Sequence, residues 1–374
     1  MGCLREKSNI ILFAIVLVIG IVYTIDKVEA NREIKETWVK EYLADKKSYK
    51  ENIIEVVLHD AGYADWYDKK ESIDLKIDTA DLLGDDKKEL VLTLSLGPQK
   101  SIIVVYESIK NAYKYIKTVD TFFDIKGIQA IPIKKQGKDI LIVRESVDQM
   151  LGAFEKGHYI RGYIWNNGKF EMVLSIMEDY EAYWNEMWEQ PPKSEAKWLR
   201  VMEKSTIMWE NSPYPVLRVL EHQSYSKSKI VNSKPMPKED EYEIVDSKEI
   251  TQTYYWSNKY KHFVLGEGKD VKTGETVAII EDLSQDPFEL AGFKQDKYRI
   301  KKKDGKIEVV PKNQITNIKS PLKDIEDFFM KLFYCRSNIK PLSLKSLAYL
   351  RSEISIWLLI QLERKSKISN IAFC

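Results

Sequence analysis

Hydrophobic and polar residues alternate along most of the chain, from about residue 51 to about residue 310. Two-residue alternation is the pattern of strands that bury one face of a sheet and leave the other face in water. The pattern therefore predicts a mainly β body. We expect antiparallel sheets arranged as a propeller-like set or as a stack.

Within this region one arrangement of three strands recurs. Each copy has an alternating strand, a second strand that ends in an aromatic residue, a short polar turn and a third strand opened by an aromatic residue. The copies comprise strands 89–96, 102–106 and 113–119, then 139–145, 158–165 and 169–174, and finally 215–220, 251–256 and 260–265. The turn Asn166-Asn167-Gly168 indicates a hairpin, because Asn and Gly accept the positive φ that tight turns need. Since the copies are unevenly spaced, chance similarity between hairpins is the alternative to a repeat.

An uninterrupted apolar segment, residues 10–25, follows the basic residues Arg5 and Lys7. A helix of about 16 such residues is roughly 24 Å long, slightly short of the hydrocarbon core but longer than the centre of a usual signal peptide. We predict that residues 1–30 are a signal anchor, with a signal peptide cleaved after Ala30 as the alternative. The body would then be extracytoplasmic, either on a single-pass membrane protein or secreted.

Helical spacing flanks the alternating region on both sides. Ile34, Trp38 and Tyr42 recur at every fourth position and predict a helix within residues 31–50, either a stalk or a helix packed on the body. The pattern changes again near residue 323. The predicted organisation is thus residues 1–30 as leader, 31–50 as helix, 51–325 as the β-rich domain with three irregular repeats, and 326–374 as a helical or disordered tail.

A stripe of aromatic residues lies between the second and third copies. Tyr180, Tyr183, Trp184 and Trp188 have the spacing of one side of a short helix that would stop at Pro191 and Pro192. Such a stripe could stack on sugar rings, although a packed face is the commoner use of aromatic side chains.

Composition removes several classes of function. The 58 basic and 57 acidic residues nearly cancel, so no long-range field favours nucleic acid, and we predict no nucleic-acid partner. Cysteine is absent between Cys3 and Cys335, so the main body can hold neither a disulfide framework nor a cysteine-ligated zinc ion.

An acidic turn, residues 81–89, runs directly into the alternating strand of the first copy. Carboxylates recur along it at Asp81, Asp85 and Glu89, and hard cations need several such oxygen ligands from a tightly turned backbone. The turn resembles the calcium loops of integrin-α-like propeller repeats, the FG-GAP and VCBS type. The resemblance implies that these three side chains bind calcium, the only cofactor that the sequence suggests.

Two positions depart from the pattern of that family. Leu83 replaces a ligand, and Asp86 stands where the family has a glycine in the sharp turn. An acidic hairpin turn without metal is therefore the alternative, and the other two copies lack the carboxylates.

The sequence contains no motif that assigns a reaction. The four histidines do not have the spacing of a zinc protease, and neither a nucleophile elbow nor a phosphate-binding loop is present. Paired carboxylates would suffice for glycoside hydrolysis, and the candidates are Glu145 with Asp148, next to Arg144, and Glu281 with Asp282. The catalytic residues of any such enzyme are unknown from the sequence.

These observations predict a membrane-anchored extracytoplasmic binding or scaffold protein of unknown ligand. Its partners would be the membrane, through the N-terminal helix, and an envelope polymer or a protein. The alternatives are an envelope carbohydrate-active hydrolase that uses paired carboxylates, and a structural part of a larger membrane assembly.

Overall fold

A computed structural model of the chain describes residues 33–151, 154–189, 191, 193–211 and 214–319. The predicted leader and the whole of the predicted tail lie outside these ranges. Among the helices within the ranges, none is long and apolar enough to cross a membrane. The described residues are mainly β and form three antiparallel sheets, one of them curled into a half-barrel.

The first sheet has five strands, and two helices lie between its first and second strands in the chain. The elements are β1 (Ile34–Lys35), α1 (Glu36–Asp45), α2 (Lys50–Asp60), β2 (Asp74–Ala80), β3 (Glu89–Gly97), β4 (Lys100–Ile109) and β5 (Ala112–Phe122). The strand order is β1-β5-β4-β3-β2. A 3-10 segment, Ala64–Ser72, joins α2 to β2.

Both faces of the first sheet are covered. Helices α1 and α2 pack on one face, where Val39 and Ile53 join the core that contains Leu90 and Leu92. The hydroxyl of Tyr42 donates to the carbonyl of Leu75 at 2.6 Å, which ties α1 to β2. Helix α1 therefore lies against the β body.

The second sheet is a meander of eight strands in which each strand pairs with its neighbours in the chain. The strands are β6 (Asp124–Ile133), β7 (Lys138–Asp148), β8 (Glu155–Asn166), β9 (Lys169–Asn185), β10 (Lys197–Asn211), β11 (Pro215–Val231), β12 (Tyr242–Ser257) and β13 (His262–Val264). The sheet curls around one apolar core, in which Ile131 and Ile140 from the first strands share contacts with Leu217 and Trp256 from the last.

The third sheet is small and follows the second directly. Its strands are β14 (Gly266–Asp270), β15 (Thr276–Asp282), β16 (Lys297–Lys301), β17 (Ile307–Pro311) and β18 (Ile315–Lys319), in the order β17-β16-β15-β14-β18. Val277, Ile279 and Ile300 form its core.

The predicted hairpins are present, but the three copies are not equivalent blades. The first copy lies in the five-stranded sheet, whereas the second and third lie in the same eight-stranded sheet. The turn between β8 and β9 has Asn167 at φ 49° and Gly168 at φ 79°, as the Asn-Gly signal predicts.

The predicted helix around residues 178–188 is wrong. Strand β9 continues to Asn185, because it is paired on one side with β8 and on the other with β10. Strand alternation places Tyr180 and Trp184 on one face and Tyr183 on the other. Trp188 lies beyond the strand, in the 3-10 segment Glu186–Trp188. The strand region predicted from residue 51 also begins later than expected, because α2 occupies its first residues.

Strands β14 and β18 approach closely at Gly268. A Cβ atom there would lie 2.3 Å from Cγ2 of Ile315, so we expect Gly268→Ala to separate the strands and lower the free energy of unfolding by about 2 kcal/mol. Gly127→Ala is the matched control, because nothing lies within 4 Å of its Cβ position. Urea unfolding of both variants tests this, and equal stabilities would contradict the close approach.

Candidate functional site

The acidic turn is held together by Glu89. This side chain is buried, and its Oε2 atom accepts hydrogen bonds from the backbone N–H groups of Leu82 at 2.7 Å and Leu83 at 3.1 Å. Burial raises the pKa of Glu89 despite these two bonds, and the nearby charges of Asp85 and Asp81 raise it further. Glu89, at the end of the turn, is thus hydrogen-bonded to residues near its start.

The turn also joins the first sheet to the second. The backbone of Asp81 accepts from the N–H of Asp139 at 2.7 Å, and its own N–H donates to the carboxylate of Asp139 at 3.1 Å. The acidic turn of the first copy is therefore in direct contact with the start of the second copy. Asp86 has a φ of 63°, so it adopts the left-handed conformation that the glycine of the family would take.

The carboxylates of the turn fit calcium poorly. All three carboxylates already accept hydrogen bonds within the turn. Asp81 accepts from the N–H of Gly84, Asp85 accepts from the N–H of Lys87, and Glu89 accepts from two N–H groups. Among the described residues, no three His, Cys, Asp or Glu side chains form a group that could hold a metal ion. Calcium binding by Asp81, Asp85 and Glu89 stays a prediction.

Most of the candidate catalytic carboxylates are used in internal contacts. Glu145 is buried, accepts from the N–H of Phe123 at 2.7 Å and pairs with Arg161 at 3.0 Å. Its neighbour Arg144 contacts Glu178 at 3.9 Å. In the third sheet, Glu281 pairs with Arg299 and Asp282 pairs with Lys312.

Asp148 differs from these groups because it lines an open cleft where the first two sheets meet. The cleft has a volume of about 900 Å³ and is lined by Pro98, Gln99, Asp124, Lys126, Ser146, Asp148, Gln149, Met150 and Leu151. The residues come from the β3–β4 turn, the start of β6, and the end of β7 with the loop that follows. The lining combines acidic, basic, amide and apolar groups.

A second polar group, which the sequence analysis missed, is buried on the second sheet. Glu203 on β10 and Glu221 on β11 are 3% and 5% exposed. Gln223 donates to Glu203 at 2.7 Å and to the backbone carbonyl of Gln285 at 2.6 Å, and Gln252 donates to Glu221 at 2.9 Å. Both acids lie in phase with apolar neighbours along their strands, which is the signal that could have revealed them.

Burial shifts the protonation of both acids. It raises the pKa of Glu203 to about 7 and that of Glu221 to about 8, and the charge of Glu203 adds to the shift of Glu221. Asp286, from the segment that covers this face, raises the pKa of Glu203 further. The pair is therefore partly protonated near neutral pH.

The aromatic stripe divides between separate clusters. Trp184 stacks on Tyr225 with ring centroids 6.2 Å apart and also contacts Phe288. Trp188 is 53% exposed and packs against Phe154, 5.3 Å away. The four predicted aromatic residues thus form no single platform.

Comparison of the chain with family models, with curated proteins and with solved structures found no match.

The acidic turn provides a test of its own structure. Glu89→Ala leaves two N–H groups without their acceptor, so we expect the free energy of unfolding to fall by about 3 kcal/mol. Asp85→Ala is the control, since it removes one exposed bond and should cost below about 1 kcal/mol. Urea unfolding measures both. A calcium-dependent rise in melting temperature that Asp85→Ala abolishes would instead favour the metal loop.

The Glu203–Glu221 pair predicts how stability depends on pH. Both folded pKa values exceed the usual 4.5, so the folded protein binds more protons than the unfolded chain between pH 4.5 and 8. The stability contributed by the pair is complete below pH 4.5 and is lost as pH rises to 8. Between pH 6.5 and about 8.5 we expect a loss on the order of 2 kcal/mol.

The double variant Glu203→Gln with Glu221→Gln should abolish this dependence of stability on pH. Glu249→Gln, at an exposed position, should keep the dependence. Measuring above pH 6.5 limits the contribution of buried His262, whose pKa burial lowers to about 4. Equal slopes in the wild type and the double variant would contradict the assignment.

Proposed function

We propose that this protein is a membrane-anchored extracytoplasmic binding protein whose ligand occupies the cleft between the first and second sheets. The cleft carries the proposal because its volume of about 900 Å³ lies within the range of small-molecule sites. The predicted leader supplies the anchor and the extracytoplasmic location. Kinship with the FG-GAP and VCBS type depends on the acidic turn and stays a prediction.

The lining of the cleft suits a polar ligand with some apolar surface. Asp124 and Lys126 form an ion pair in the lining, Asp148 adds a carboxylate, and Gln99 and Gln149 offer amide groups. Such a mixture fits hydroxyl and amide groups better than a single charged group. A segment of an envelope polymer, rich in both groups, is the ligand that we favour.

One wall of the cleft is attached to the body by an aromatic contact. The loop after β7 supplies Gln149 and Met150 to the lining, and the N–H of Phe154 donates to the carbonyl of Gln149 at 3.1 Å. The ring of Phe154 packs on Trp188 and Trp198. Gln149 is thus connected, through Phe154, to aromatic residues of the body.

A carbohydrate-active hydrolase is the second candidate. Asp124 and Asp148 both line the cleft, and two carboxylates flanking a scissile bond suffice for glycoside hydrolysis. Asp148 was one of the carboxylates that the sequence suggested.

The experiment incubates the purified full chain with isolated cell-envelope polymers and measures both co-sedimentation and release of soluble fragments. We expect co-sedimentation without release, and a fall of about fivefold in the affinity of Lys126→Ala and of Asp148→Ala. Asp78→Ala, an exposed carboxylate on β2, is the control. Release of fragments that Asp148→Ala abolishes would support the hydrolase, and absence of both binding and release would contradict an envelope polymer as ligand.

A further inference from the structure

A buried arginine lies on the face of the second sheet opposite to the Glu203–Glu221 pair. Arg200 on β10 is paired in register with Tyr183 on β9 and with Ser226 on β11. Its guanidinium carbon lies 5.4 Å from the ring centre of Tyr183 and 5.9 Å from that of Tyr242, the first residue of β12. Because Ser226 is small, the guanidinium can extend across β11 towards Tyr242.

Glu181 fixes the orientation of this guanidinium. Its Oε2 atom pairs with Nη2 of Arg200 at 3.0 Å and accepts from the hydroxyl of Tyr183. Its Oε1 atom pairs with Nζ of Lys156 at 3.2 Å. Burial alone would raise the pKa of Glu181, but the bond from Tyr183 and the charges of Arg200 and Lys156 outweigh it, and the pKa is lowered. Glu181 is therefore an anion that holds Arg200 in place.

Two donors on this face of the sheet are left without acceptors. Within the part of the chain that the structure describes, neither Nε of Arg200 nor the hydroxyl of Tyr242 has a hydrogen-bond partner, although both atoms are buried. Burial raises the pKa of Tyr242 to about 12, so its hydroxyl keeps its proton and can donate. Buried donors of this kind are costly unless an acceptor reaches them.

Glu239 supplies the second anion that balances the two cations at this point, and Glu241 adds a negative charge near Tyr242. Arg200 and Lys156 are two cations, while Glu181 is a single anion contacting both. The remaining charge is met by Glu239, which lies 3.6 Å from Arg200 and whose side chain is 84% exposed. A contact that long and that exposed is weak and easily replaced.

We propose that Arg200, Tyr183 and Tyr242 form a binding site for a small ligand that carries a carboxylate, and that Glu239 occupies this site when no ligand is bound. A ligand carboxylate would replace that of Glu239, so the charge of the site would not change. It would also supply the acceptor oxygens that the site lacks. The two tyrosine rings provide apolar surface beside the carboxylate, as a uronic acid or a short dicarboxylic acid would need. None of these three residues lines the cleft. The proposal does not depend on the proposed function.

The test measures binding of glucuronate and of glutarate to the full chain by calorimetry, with sulfate as a control anion that lacks a carboxylate. We expect Glu239→Ala to raise the affinity for the carboxylates about fivefold, because it removes the internal competitor. Arg200→Lys should lower the affinity at least about tenfold, since lysine cannot replace the guanidinium fork. Tyr242→Phe should lower it about threefold through the lost hydroxyl.

Glu249→Ala is the matched control, an exposed glutamate on β12 that should leave the affinity unchanged. Tighter binding of glucuronate than of glutarate would identify an acidic sugar as the ligand class, and the reverse would identify a dicarboxylic acid. Because Glu239 is exposed, its variant should fold even if Arg200→Lys does not. Absence of carboxylate binding to Glu239→Ala at millimolar concentrations, or equal affinity of this variant and the wild type, would overturn the proposal.

Discussion

The packing of the first sheet on strands β7 and β8 is the contact on which the rest of the structure depends. Val91, Ile103 and Val105 pack against Leu141 and Val143 in one core. Each aliphatic side chain buried in this way contributes roughly 1.5–3 kcal/mol. The cleft lies between these two sheets, and the acidic turn bonds across them. Both features therefore exist only while this packing holds.

Charged residues that point inward are a second constraint, and they differ in how completely their polar atoms are bonded. Glu89 accepts hydrogen bonds from two backbone N–H groups. Arg200 keeps one N–H group without an acceptor in the described part of the chain. A fully bonded buried charge stabilises the connection between elements. A buried charged side chain with an unpaired donor can still form a hydrogen bond to a ligand. This difference distinguishes a structural group from a candidate site.

The sequence predicted the strands well because alternation is a local property of each strand. It failed at Tyr183 and Trp184, whose spacing fits a helix, because pairing with β8 and β10 decided the conformation there. The phase of alternation predicts that Glu203 and Glu221 face inward. That they lie close together depends on the register between β10 and β11, which no local pattern contains. The partners of Arg200 could not be predicted from the sequence, because they too depend on strand register.

The meander of the second sheet has a consequence for the order of folding. Each of its eight strands pairs with the strand next to it in the chain, so every pairing closes only a short loop. Loops of this kind have a low entropy of closure, and a low contact order favours rapid folding. The pairings β1 with β5 and β14 with β18 close longer loops. The half-barrel can thus assemble hairpin by hairpin, while the two smaller sheets are completed only after strands distant in the chain have met.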